Sequence, residues 1–127
     1  MTLRVLLDTH VYLWWLNDDA NLSISARDCI ADTDSIVHIS AATVWEVSVK
    51  SAAGRLDLGE TDVLGAIETN GFTDLPITAR HAAHAAWLPR HHGDPFDRLL
   101  IAQALVEGLT LVSSDRSFAA YDVPLLA

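Results

Sequence analysis

The sequence predicts a three-layer α/β domain, and two observations carry that prediction. Short, β-prone apolar runs alternate with helix-like segments along the whole chain, which is the pattern of parallel βαβ units. Two of those runs end directly at an acid-bearing turn: Leu7 is followed by Asp8, and Val112 by Ser113, Ser114 and Asp115. A chain of 127 residues, half of them hydrophobic, suits one domain spanning residues 1–127.

In order, Arg4 to Leu7 reads as the first strand and Val11 to Leu16 as a helix. Ser25 to Ala31 reads as a second helix with Ser25 as its N-cap. Ile36 to Ile39 is strand-like, and Ser40 can cap a helix that runs to about Ala53, where Gly54 stops it. A helix over Asp62 to Asn70 ends at Gly71, and Phe72 to Leu75 follows as a third strand. Thr78 caps a helix running until Pro89. Asp94 and Pro95 form an N-cap and an N1 proline, opening a helix that stops at Gly108. Leu109 to Val112 is the fourth strand and Val123 to Leu125 a short last one.

Seventeen acidic residues against eight basic ones give a net charge of −9. That argues against a broad basic face gripping nucleic acid, but not against an enzyme that meets phosphates through bound cations. The single cysteine, Cys29, allows no internal disulfide and points to a reducing compartment; it reads as a small buried apolar residue. No apolar run approaches the roughly 18 residues of a membrane span, and the N-terminus lacks the features of a secretory signal. The expected location is the cytoplasm.

Four acids stand out. Asp8 ends the first strand, at the edge where open parallel sheets place their sites; alone it reads equally well as a helix cap. Glu46 sits in the apolar segment Ala41-Ala42-Thr43-Val44-Trp45-Glu46-Val47 and needs a partner if buried; the competing reading is an i,i+4 pair with Lys50. Asp97 is the third residue of the helix opened by Asp94, which already fills the cap role. Asp115 follows the fourth strand and competes with a turn or cap reading. Carboxylates about 5 Å apart repel by roughly 3 kcal/mol at an effective dielectric of ~20. Four together would consume much of a domain stability of ~5–15 kcal/mol. Such a cluster calls for protonation or a divalent cation, and all-oxygen ligation suits Mg²⁺ or Mn²⁺.

The segments Leu6-Leu7-Asp8-Thr9-His10, Ser40 to Val47, Asp94-Pro95-Phe96-Asp97-Arg98-Leu99-Leu100-Ile101-Ala102-Gln103-Ala104 and Leu111-Val112-Ser113-Ser114-Asp115-Arg116 resemble PIN-domain ribonucleases, specifically the VapC-type toxins of toxin–antitoxin pairs. The resemblance runs from residue 3 to the C-terminus, and the Asp97 segment is its most specific part. It implies a parallel five-stranded sheet with helices on both faces. It implies an acidic quartet, here Asp8, Glu46, Asp97 and Asp115, binding one or two Mg²⁺ or Mn²⁺ ions and hydrolysing RNA with metal-activated water. Thr9 and Ser113 match supporting hydroxyl positions. Arg98 and Arg116 match basic positions near the pocket, where they would touch phosphate or pair with a carboxylate. A homodimer and a cognate antitoxin, laying a helical tail along the toxin, are also implied.

Three other classes fit the sequence less well. A receiver-like phosphoacceptor domain would need an acidic pair after strand one and a lysine after a late strand, but the sole lysine, Lys50, lies in a helical segment. A haloacid-dehalogenase-like phosphatase would need a second Asp where His10 stands. A non-catalytic partner-binding module would leave the strand-end acids without a shared purpose. His10 lies near the pocket; His81, His84, His91 and His92 read as surface or locally bonded residues. Of the adjacent Trp14 and Trp15, one is expected in the core and the other in a partner groove, or both in buried contacts.

Overall fold

The computed structural model describes residues 2–91 and 93–127. Five parallel strands form one sheet: β1 (Arg4–Leu7), β2 (Ile36–Ser40), β3 (Thr73–Leu75), β4 (Thr110–Val112) and β5 (Leu125–Leu126), in the order β3-β2-β1-β4-β5. The order reverses direction around β1, the crevice where open α/β sheets bind ligands. Among the described residues, six helices connect the strands: α1 (Thr9–Leu16), α2 (Ile24–Ala31), α3 (Ala41–Ala52), α4 (Gly65–Thr69), α5 (Ala79–Trp87) and α6 (Pro95–Glu107). A 3-10 helix spans Arg116–Tyr121.

Side-chain alternation along β1 explains the three layers. Val5 and Leu7 face a core shared with Val11, Tyr12, Ala26, Ile30 and Ile67 from α1, α2 and α4. Leu6 faces the opposite core with Leu100, Ile101 and Ala104 of α6. Helix α3 serves both, giving Val47 to the first and Ala42 to the second.

The helix signals hold where a side chain can reach its own backbone. Ser40 accepts from the Ala42 N–H and starts α3. Asp94 accepts from Phe96 and Asp97, and Gly108, at φ 69, ends α6 in the left-handed conformation that glycine adopts without a Cβ clash. Elsewhere the boundaries shift. The α2 cap is Ser23, not Ser25, because the Ser23 hydroxyl accepts the Ala26 N–H. The helix expected over 62–70 is only Gly65–Thr69; the Asp62 carboxylate accepts from the Gly65 N–H and holds a turn ahead of it. The last strand lies at Leu125–Leu126 rather than Val123–Leu125, since the Pro124 carbonyl pairs with Leu111 while Val123 turns into the second core.

Cys29 is half-buried against the first core. Trp14 and Trp15 both pack partly against that core, with the Trp15 indole N–H donating to Asn70 at 3.1 Å. Trp45 and Trp87 are the exposed pair, 63% and 87% accessible. Among the described residues, no helix is long and apolar enough to cross a membrane.

Candidate active site

The site is built outward from Asp8. The backbone leaves β1 extended at Asp8, whose N–H still donates to the Val112 carbonyl, and then turns into α1. One carboxylate oxygen, Oδ1, accepts the Val11 N–H at 2.8 Å; the other, Oδ2, accepts the Ser113 hydroxyl at 2.5 Å. Asp8 is thus both the cap of α1 and a buried acid at the carboxyl edge of the sheet, 4% exposed. Burial pushes its carboxyl above the ordinary 3.8, and the Asp115 charge adds to that. Ser113, the Val11 N–H and the nearby His10 pull the other way without overcoming burial.

Ser113 links Asp8 to Asp115. While its hydroxyl donates to Asp8, the same oxygen accepts the Asp115 N–H at 3.0 Å. Asp115 itself is exposed and caps the 3-10 helix through the Ser117 N–H and hydroxyl. Arg116 begins that helix on the exposed surface.

Glu46 joins from the neighbouring helix. Thr9, the first residue of α1, donates its hydroxyl to Glu46 Oε1 at 2.6 Å and lies 3.2 Å from the Thr43 hydroxyl. Lys50 donates to Glu46 Oε2 at 2.6 Å. The two readings of Glu46 are therefore both realised: it is a buried acid, 3% exposed, and also an i,i+4 ion-pair partner.

Asp97 lies in the first turn of α6, half-buried. Helix α6 runs back to the amino end of β4, so its own N-terminus sits at the carboxyl edge with Asp8 and Asp115.

The four acids are not a ready-made cage. Among the described residues, no group of three or more His, Cys, Asp or Glu side chains is gathered closely enough to hold a metal ion. The physical reason is visible in the bonds: like charges repel, and Asp115 and Glu46 have turned onto donors of their own, Ser117 and Lys50. The donor chemistry nevertheless fits a hard divalent cation. It is all oxygen, and it centres on a buried carboxylate held beside a second one and disfavoured as a bare anion.

The Arg98 guanidinium donates to the carbonyls of Ala85, Leu88 and Pro89, closing the C-terminal end of α5. Of the histidines read as surface or locally bonded, His81 is locally bonded, to Thr78 in the cap of α5. It is 1% exposed, its Nδ1 accepts the Thr78 N–H, and its Nε2 lies 3.2 Å from Glu107. His84 and His91 are exposed, and His92 lies outside the described residues. Sequence reasoning missed the Ser40–Gln103–His81 chain of buried polar groups. Its signal was Gln103, an uncharged polar residue among Leu100, Ile101, Ala102 and Ala104. A cavity of about 520 Å³ between α5 and the start of α6, lined by Ala85, Arg90, His91, Pro95 and Arg98, contains none of the four acids.

The family model described as the PIN domain matches residues 5–124. The chain belongs to the PIN-domain family. It is 32% identical to ribonuclease VapC22 of Mycobacterium tuberculosis over 123 residues, 94% of this chain and 93% of that protein, which places it among the VapC-type members. Among solved structures, VapBC2 from Rickettsia felis, bound to a DNA fragment from its promoter, superposes with a TM-score of 0.73 at 14% identity, covering 98% of each chain. A toxin–antitoxin complex from Klebsiella pneumoniae gives 0.68 at 17% identity, covering 97% of this PIN domain and 96% of that chain. FitAcB from Neisseria gonorrhoeae gives 0.63 at 23% identity, covering 100% and 97%. These likenesses establish the shared fold.

Proposed function

We propose that this PIN domain is a metal-dependent endoribonuclease, the toxin of a toxin–antitoxin pair, and that Asp8, Glu46, Asp97 and Asp115 hold one or two Mg²⁺ or Mn²⁺ ions at the carboxyl edge of the sheet. The observation that carries the reading is Asp8: a carboxylate buried to 4% exposure, with a second acid raising its proton affinity further. A fold keeps such a group ionised at a cost, and a cation that binds only the folded state offsets it.

The named relatives support the rest. VapC22 is called a ribonuclease, and the structural neighbours include toxin–antitoxin complexes. The fitting partners are an RNA substrate, a cognate antitoxin and a second copy of the chain.

A divalent cation supplies an activated water and neutralises charge on the phosphate and leaving oxygen. The chain's own groups do the positioning. The Val11 N–H and Ser113 hydroxyl fix both oxygens of Asp8, and the Thr9 hydroxyl fixes Glu46 against α1. Ser113 also holds the Asp115 backbone, setting the distance between the two acids on either side of it. Arg116, exposed beside Asp115, is available to meet a phosphate.

The test is cleavage of total RNA by purified protein with Mg²⁺ or Mn²⁺, with and without chelator, alongside Asp97→Asn. The expected result is cutting that stops in chelator and falls about 1,000-fold in the variant, ~4 kcal/mol at the transition state. Cutting that persists in chelator removes the metal reading; a wild-type rate in Asp97→Asn removes that residue from the site.

A further inference from the structure

Glu46 reaches its buried position with both oxygens already engaged. Oε1 holds the Thr9 hydroxyl and Oε2 the Lys50 ammonium, each at 2.6 Å. The two donors differ in what they permit. A hydroxyl is neutral and leaves a lone pair of the carboxylate open to a cation. An ammonium is a full positive charge, and a divalent ion on the same carboxylate would be repelled by it. Lys50 is well placed to leave. Its side chain is 31% exposed while that of Glu46 is 4% exposed, and it sits in the last turn of α3, where free carbonyls and the negative end of the helix dipole favour a cation.

We propose that Lys50 is an internal counter-ion that occupies Glu46 while no metal is bound and is displaced when a divalent cation takes that carboxylate. Lysine and metal then compete for one ligand. The buried acid always keeps a positive partner, so the fold does not carry a bare carboxylate there, and metal affinity is set below what the oxygens alone would give. Lys50 is a positioning residue: it acts on Glu46, not on the reacting atoms. The inference rests on the metal-dependent reading above.

The test uses a property of the sequence: Lys50 is the sole lysine. Protein labelled with ¹³C,¹⁵N-lysine therefore gives one side-chain Cε/Nζ signal. Metal-free, that signal should carry the shift and slow hydrogen exchange of a held ammonium. Saturating Mg²⁺ should move it to the position of a free, solvated lysine, along the same curve as the calorimetric Mg²⁺ titration. Lys50→Met, which keeps the aliphatic stem, should bind Mg²⁺ at least tenfold more tightly; Lys50→Arg, which keeps the charge, should bind no more tightly than wild type. A lysine signal unmoved while calorimetry records Mg²⁺ binding overturns the displacement and leaves the metal reading standing. Equal or weaker Mg²⁺ binding by a folded Lys50→Met does the same. No Mg²⁺ binding by wild type overturns the metal reading itself, and the displacement with it.

Discussion

Two buried polar regions flank β1 and β2, and they are balanced differently. On the α5–α6 side, the Ser40 hydroxyl donates to Gln103 Oε1, and the Gln103 amide lies 3.4 Å from both the Pro76 carbonyl and His81 Nδ1. His81 accepts from Thr78 and reaches Glu107 through its other nitrogen. Donors and acceptors alternate along this chain, and Ser40, Gln103 and His81 are all at most 1% exposed. Among the described residues no buried side-chain nitrogen or oxygen lacks a partner. At the carboxyl edge around Asp8 the bonds are also made, yet the charges do not cancel: a buried acid faces a second acid. The first region is the kind of satisfied network that specifies a core. The second is satisfied in hydrogen bonds and unsatisfied in charge, the difference expected between a piece of scaffold and the cation site proposed above.

The sharpest way to break that comparison is to remove the charge at Asp8. Asp8→Asn keeps the shape and the acceptor for Val11, and it deletes the anion. Cleavage should fall by about 1,000-fold or more, ~4 kcal/mol at the transition state. Metal-free thermal stability at neutral pH should rise, and the further rise that Mg²⁺ gives the wild type should disappear. A variant that is both inactive and less stable without metal would place Asp8 among the structural caps.

Gln103 gives the opposite expectation. Gln103→Leu fills similar volume but strands the Ser40 hydroxyl and one side of His81. Stability should drop by about 2 kcal/mol, read by urea denaturation, while cleavage per folded molecule stays within about twofold. A stability loss below ~0.5 kcal/mol would show that the network is not holding the two helices. A large loss of cleavage in well-folded protein would make it part of the site.

The division between what the sequence predicts and what it does not follows the range of each interaction. Asp8 and Asp115 were legible because a strand ending in an acid fixes both the element and the edge. Glu46 was legible because an acid in an apolar helix must find a partner, and Lys50 was visible at i+4; that both descriptions hold at once needed Thr9, 37 positions away. The bonds from Arg98 to carbonyls at the end of another helix were not legible, because a carbonyl leaves no mark in a sequence. For His81 the local bond to Thr78 was within reach of the sequence, but its burial was not: that comes from α5 packing on α6, with Gln103 and Glu107 22 and 26 positions away. The 3-10 helix after Asp115 is too short to print a period. The choice between Ser23 and Ser25 depended on which hydroxyl reaches a free N–H.

The smallest effect, and the finest test of the contrast, is in pH. The Asp8 carboxyl binds its proton more tightly in the folded chain than at its ordinary 3.8, burial being the main cause. A group raised in this way contributes stability that is fully present below 3.8 and is lost as pH climbs through its folded-state value. Without metal, wild type and Asp8→Asn should therefore have the same relative stability at the acid end, and wild type should fall behind as pH rises toward neutrality. Taking the difference between the two proteins removes the other carboxylates, whose acid titration runs through both alike. The fall should be smaller than the Gln103 loss, because the Val11 N–H, Ser113 and His10 already favour the ionised form. Mg²⁺ in excess should reverse it, since the cation binds the anion that burial disfavours. A difference that is flat with pH, or that grows toward acid, would mean the charge at Asp8 costs the fold nothing, and the two regions would then be held by the same kind of balance.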